Sequence, residues 1–119
     1  MTNIYHQGLE QVAANSQPLS PVNFLNRTAD TYPDKIAIIH GEQKVSYQEF
    51  RENSRRLTSA LIDLGVKPGH TVSVLAANIP AFIYAHYGVP ATGAVLNSIN
   101  YRLDAAAIAF ILDLSLIHI

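Results

Sequence analysis

The sequence predicts an α/β fold in which a helix, a β-hairpin and a second helix are followed by alternating strand and helix around a parallel sheet. Two observations of composition and one of order carry this. Hydrophobic residues make up 49% of the 119 and charged residues only 14%, which supplies a core and argues against disorder. Between Lys67 and Arg102 there is no Asp, Glu, Lys or Arg. Near-continuous apolar runs of this kind mark strands covered on both faces by helices. The length allows one small domain. So much doubly covered material in so short a chain predicts a portion of a larger domain.

Residues 1–19 show no sustained period and read as a leader lying on the surface or mobile. Ser20 followed by Pro21 starts a helix, with the serine oxygen as cap and proline at the first helical position. Val22, Leu25, Ala29 and Tyr32 fall on one face, and Pro33 ends the helix. Lys35 to His40 and Lys44 to Tyr47 form the strands of a hairpin that turns at Gly41. Ser46 and Glu49 have the spacing of a capping box, so a long helix follows. Phe50, Leu57, Leu61 and Leu64 are its apolar stripe, and Gly65 is its left-handed terminator.

Pro68 and Gly69 turn the chain into a buried strand, Thr71 to Ala77. Pro80 opens a helix with Ile83, His86 and Tyr87 on one side, and Pro90 limits it. A turn at Thr92 and Gly93 leads to the next strand, Ala94 to Ile99. Asp104 then caps a helix, Ala105 to Leu112, that is apolar on every side and so expected to be buried all round.

Several function classes are excluded by what the sequence lacks. With no cysteine there is no disulfide, thiolate nucleophile or Cys-based zinc site. A net charge of −1 gives no footprint for nucleic acid or an anionic membrane. Pro80, Pro90, Asn78 and His86 break the charge-free stretch short of the ~20 apolar residues of a membrane span. The start of the chain does not read as a secretory signal, and the expected setting is cytoplasmic.

Strand ends are where doubly wound sheets bind ligands, which singles out Asn78, Asn97, Ser98 and Asn100. Asparagines there also cap helices and close turns, and that structural role is the expectation. His86 is expected as a packed, hydrogen-bonded core residue, and His40 and His70 as solvent-facing. The five histidines lack zinc-site spacing. Arg51, Arg55 and Arg56 read as a solvated helix face, with Glu52 placed to pair with Arg56. No phosphate loop, dinucleotide fingerprint or nucleophile elbow occurs.

Three segments carry a family resemblance: TADTYPDKIAIIHGEQKVSYQEF (28–50), RRLTSALIDLGVKPGHTVSVLAANIPAF (55–82) and HYGVPATGAVLNSINYRLDAAAIAFILD (86–113). With pairs such as Tyr32-Pro33-Asp34 and Tyr101-Arg102-Leu103, they resemble the amino-terminal part of AMP-binding, adenylate-forming acyl-CoA synthetases, in particular the medium-chain and short-chain subgroup. PLSPVNFLNRTA (18–29) extends the likeness.

The resemblance implies a ligase that activates a carboxylic (fatty) acid with ATP and Mg2+ through an acyl-adenylate and transfers it to CoA. In that family the phosphate loop, the adenine- and ribose-binding segments and the mobile carboxy-terminal domain's lysine lie downstream. No catalytic, cofactor-binding or metal-ligating residue is therefore assigned in this chain, which is expected to be inactive alone. Residues 20–113 are the family portion, its implied partner is the missing remainder of its own domain, and Leu114 to Ile119 is read as an artefactual tail. The alternative reading is a complete, non-catalytic α/β binding module.

Overall fold

The structure is a computed structural model that describes residues 8, 10, 12–14 and 16–117. Most of the leader lies outside the described residues. Its last part lies against the first helix, where the Asn23 side-chain amide donates to the Pro18 carbonyl at 3.2 Å.

Helix α1, Pro21–Thr31, starts where Ser20 Oγ accepts the Val22 N–H. It buries Leu25 and Ala29. Tyr32, expected on the same face, is 57% exposed. The reason is local: Tyr32 is the C-cap at φ −134°, ψ 58°, where the chain has already left the helical path. Its ring instead lies 5.6 Å from the Lys35 ammonium.

Strands β1, Ile36–His40, and β2, Gln43–Ser46, pair antiparallel with Ile38 opposite Val45, both buried. Tyr47, expected to end the second strand, begins α2, Tyr47–Asp63, because the capping box takes over at Ser46. Ser46 Oγ accepts the Glu49 N–H at 3.2 Å, and Glu49 Oε2 accepts the Ser46 N–H at 2.8 Å. The free N–H groups of Tyr47 and Gln48 donate to the carbonyls of Lys35 and Pro33. Helix and hairpin are thereby fastened end to edge.

At its other end α2 closes in a Schellman motif. Gly65, at φ +90°, donates to Ile62, and Val66 donates back to Leu61. Leu64, expected in the apolar stripe, is 81% exposed because it is the C-cap, past the last turn that faces the core. Val66 packs inward in its place.

Strands β3, Thr71–Leu75, and β4, Val95–Ile99, pair in parallel, Val72 beside Leu96 and Leu75 beside Ile99. Helix α3, Pro80–Gly88, and a single 3-10 turn, Pro90–Thr92, connect them. The loop before β3 is stitched to the start of β4 by Gly69 N–H to Gly93 O and Val95 N–H to His70 O. Gly93 sits at φ +80°, where any side chain would also press on Pro68. The β3 segment, expected to be fully buried, is only half-buried, since Ser73 and Leu75 face outward.

Two cores result. Leu25, Ile38, Val45 and Phe50 join α1, the hairpin and α2, and the Phe50 ring meets Tyr87 edge-on at 4.9 Å. Ala85, Val89 and Ala94, with Leu57, Leu61, Val72, Val74 and Leu96, join α2 and α3 to the parallel pair. Helices α2 and α3 approach closely at Gly88, where Thr58 Oγ1 donates to the Gly88 carbonyl at 2.9 Å.

The last helix, α4, spans Ala105–Ile117, longer than the expected Ala105 to Leu112. Asp104 Oδ1 caps it by accepting the Ala107 N–H at 2.8 Å. It packs on β3 and β4 with Ala107, Ile108 and Ile111 half-buried. The expectation of burial all round fails: Phe110 and Leu114 are exposed, because no described element covers the outer side of α4.

Candidate functional site at the carboxyl ends of the parallel strands

Each parallel strand runs into a polar turn at its carboxyl end. After β3 the chain passes through Ala76 and Asn78, and Pro80 opens α3 so that Phe82 stands over the gap. After β4 comes Asn100, whose Oδ1 accepts the Arg102 N–H at 3.0 Å. This turn, in which a side chain mimics a backbone carbonyl, bends Tyr101 and Arg102 back over the strand ends. Arg102 Nε donates to the Tyr101 hydroxyl at 3.3 Å, which steadies the guanidinium at the rim.

Ala76, Asn78, Phe82, Ser98, Ile99, Asn100, Tyr101 and Arg102 enclose an open cleft of about 410 Å³. One guanidinium, one hydroxyl, a phenol and two amides converge on it, and no carboxylate lines it. Such a wall can orient and neutralise an anionic or carbonyl-bearing ligand. It contains no proton acceptor of the strength that acid–base chemistry requires.

Three of the four strand-end residues therefore come together: Asn78, Ser98 and Asn100. Asn100 also plays the structural part expected of it. Asn97 does not line the cleft, because its amide donates to Ser73 Oγ across the strand pair at 3.1 Å. Phe82 and Arg102 were not singled out from sequence. The Asn100-Tyr101-Arg102 turn is the signal that would have found the arginine.

His86 is hydrogen-bonded as expected, Nδ1 against the Phe82 carbonyl at 2.8 Å, but it is exposed rather than in the core. It lies one turn beyond Phe82, stacked edge-on against that ring on the outer side of α3. His40 and His70 are exposed, as expected. Among the described residues no three His, Asp or Glu side chains come together to hold a metal ion.

The arginines of α2 are more than a solvated face. Arg51 pairs with Asp30, and Arg55 Nη2 donates to Asn26 Oδ1 at 3.4 Å, so both tie α2 to α1. The expected Glu52–Arg56 pair is absent from the ion pairs of the described residues; Gln48 donates to Glu52 instead. A second, mainly apolar cleft of about 360 Å³ lies between α1, α2 and α3, beside Arg51, Ser54 and Arg55. The Arg51 Nε and Ser54 Oγ atoms are buried without a hydrogen-bond partner.

A parallel strand pair with a ligand-sized cleft beyond its carboxyl ends is the arrangement in which open α/β sheets bind ligands. Comparison with known proteins makes this specific. Residues 25–119 match the AMP-binding enzyme family, and the chain belongs to it. It is 44% identical over 105 residues to a peroxisomal acetate/butyrate–CoA ligase of Arabidopsis thaliana, and 43% identical over 99 residues to a peroxisomal butyrate–CoA ligase of the same plant. These alignments cover 88% and 83% of this chain but only 18% and 17% of the relatives.

Among solved structures, the NpsA N-terminal subdomain of Klebsiella oxytoca superposes on 81% of this chain with a TM-score of 0.78, and the superposed part is 25% of that subdomain. At 20% identity this establishes the shared fold. The o-succinylbenzoate coenzyme A synthetase of Bacillus subtilis superposes on 76% of the chain at 27% identity, with a TM-score of 0.73.

Proposed function

We propose that this chain is an amino-terminal segment of an acyl-CoA ligase that joins a carboxylic acid to CoA at the expense of ATP. The observation that carries the reading is the 44% identity to an acetate/butyrate–CoA ligase across 88% of the chain. It favours the ligase over a self-sufficient binding module. In the reaction, a carboxylate oxygen attacks the α-phosphorus of ATP while the bond to pyrophosphate breaks. The CoA thiol then gives up its proton, its sulfur attacks the acyl carbon, and AMP leaves with the bonding electrons. A carboxylate is a poor electrophile, and the mixed anhydride with AMP supplies the leaving group.

Within this scheme the segment acts as scaffold. On this reading the cleft lined by Asn78, Ser98, Asn100 and Arg102 forms one wall of the approach to the site, and among the described residues no three His, Asp or Glu side chains gather as a metal site. When bound, Mg2+ neutralises phosphate charge. On this reading the chain alone is inactive. No described helix is long and apolar enough to cross a membrane. The Arabidopsis relatives are called peroxisomal, whereas our proposal for this protein is the cytoplasm, to be tested by imaging the whole gene product.

The test of activity is a chimera in which residues 20–113 replace the matching segment of the Arabidopsis acetate/butyrate–CoA ligase. Acid-dependent ATP–pyrophosphate exchange is expected from the chimera and not from the 119-residue chain. A folded chimera without exchange, or a chain that exchanges alone, refutes the proposal.

A further inference from the structure

We propose that the cleft between α1, α2 and α3 is a binding site for a linear aliphatic monocarboxylate. The proposal stands on this cleft alone and does not require the ligase reading.

The helical cleft shares no lining residue with the one at the strand ends. At about 360 Å³ it falls within the range of about 300–1,000 Å³ in which proteins take small ligands. Its wall is mainly apolar, with Val22 and Leu25 from α1, Ile62 from α2 and Tyr87 from α3. Ile62 is large and apolar yet 55% exposed, so a hydrocarbon chain lying against it removes apolar surface from water.

The polar end of the cleft is built from donors. Arg51 Nε and Ser54 Oγ are both buried without a hydrogen-bond partner, and Ser54 as a whole is only 5% exposed. A buried donor left unpaired is costly. Here two of them belong to residues three apart, on one face of α2, where a single acceptor with two oxygens can serve both. The third donor is Arg55, whose Nη2 reaches Asn26 Oδ1 only at 3.4 Å. That contact crosses from α2 to α1 beyond the usual hydrogen-bond length, and it yields readily to a charge-assisted bond.

Charge fixes the class of ligand. No Asp or Glu lines the cleft. Asp30 pairs with Arg51 from outside the lining, which leaves the Arg55 guanidinium as the net charge. One net positive charge beside an apolar wall suits a monoanion with a hydrocarbon tail. A phosphate dianion carries more charge than the wall offsets, and an ammonium would face two guanidinium groups. An ionised carboxylate only accepts hydrogen bonds and has two oxygens to do so, which matches a set of donors on neighbouring turns.

The experiment titrates octanoate into the 119-residue chain and into the chimera described above, which carries the whole cleft. Binding is followed by calorimetry and by the arginine Nε–H resonances of isotope-labelled protein. A saturable site is expected in both, one that shifts the Arg51 Nε–H resonance and raises the thermal midpoint. Ser54→Ala removes one donor and should weaken this binding about tenfold. Ser59→Glu places a carboxylate on the exposed rim and should abolish it. Arg56→Gln, outside the lining, should leave it unchanged, and octylamine should not bind. Circular dichroism of each variant separates lost binding from lost folding. Equal affinity for octylamine overturns the proposal, since the cleft is then a merely apolar groove. So does octanoate that binds without moving the Arg51 resonance, full affinity in Ser54→Ala and Ser59→Glu, or no saturable binding by folded protein. A chimera that binds octanoate at Arg51 but lacks exchange activity sinks the ligase reading and leaves this site standing.

Discussion

Replacing Gly88 by alanine tests the joint between α2 and α3. An alanine Cβ at this position would lie 2.9 Å from the Ser54 carbonyl oxygen and 3.1 and 3.2 Å from two carbons of Leu57. The nearest of these atoms belongs to the backbone of α2, so it cannot rotate away and the helices must part by a few tenths of an ångström. Overfilling of this kind costs about 1–3 kcal/mol. Alanine regains up to about 1 kcal/mol of helix propensity in a helix interior, and less at the last residue of α3. The expected net loss is about 1–2 kcal/mol. Urea unfolding followed by far-ultraviolet circular dichroism would show the midpoint falling by roughly 0.5–1 M at unchanged slope. A midpoint that stays or rises would mean that Gly88 is not a packing residue and that the α2–α3 contact is misdrawn.

Ser54 lies in the same joint at 5% exposure with its hydroxyl unpartnered, so Ser54→Ala should stabilise the fold by about 1 kcal/mol. A loss of stability in the same urea assay would reveal a buried partner for that hydroxyl. Glu49 is held below the ordinary carboxylate range by the Ser46 backbone N–H first and by the Ser46 side chain second. A depressed folded-state value means that its contribution is complete above the ordinary glutamate range and is lost as pH falls through the folded value. Glu49→Gln keeps the cap geometry but not the charge, so it should remove part of the stability difference between about pH 7 and about pH 3. An unchanged difference would show that the capping carboxylate does not titrate with folding.

The parts of the fold legible in the sequence are those with local causes. Ser20-Pro21, Ser46 with Glu49, Gly65 and Pro80 each satisfy or terminate a backbone within a few residues, and each does in the structure what its spacing predicts. The misread positions depend on where an element stops or on what lies across from it. Tyr32 and Leu64 continue the apolar stripes on paper, but both are caps. Ser54 and Gly88 look like an ordinary polar residue and an ordinary glycine until two helices meet at them. The cleft divides in the same way. A topological rule for strand ends found Asn78, Ser98 and Asn100, whereas Arg102 arrives through the Asn100 turn and Asn97 is drawn away by Ser73.

The bond between Asn97 and Ser73 has a consequence for the order of assembly. Residues emerging from a ribosome as far as Gly65 already contain both strands of the hairpin and the helix fastened to it, all closed by short-range contacts. Strand β3 must then wait for α3 to be made before β4 appears, with 24 residues separating the two side chains. During that wait Val72 and Val74 have no strand partner. A slip of one residue at closure would turn Leu96 out of the core and bring Val95 in. An amide that finds its hydroxyl only in the native alignment distinguishes these two closures, and so acts as a proofreading contact for a pairing the apolar side chains could make in either register.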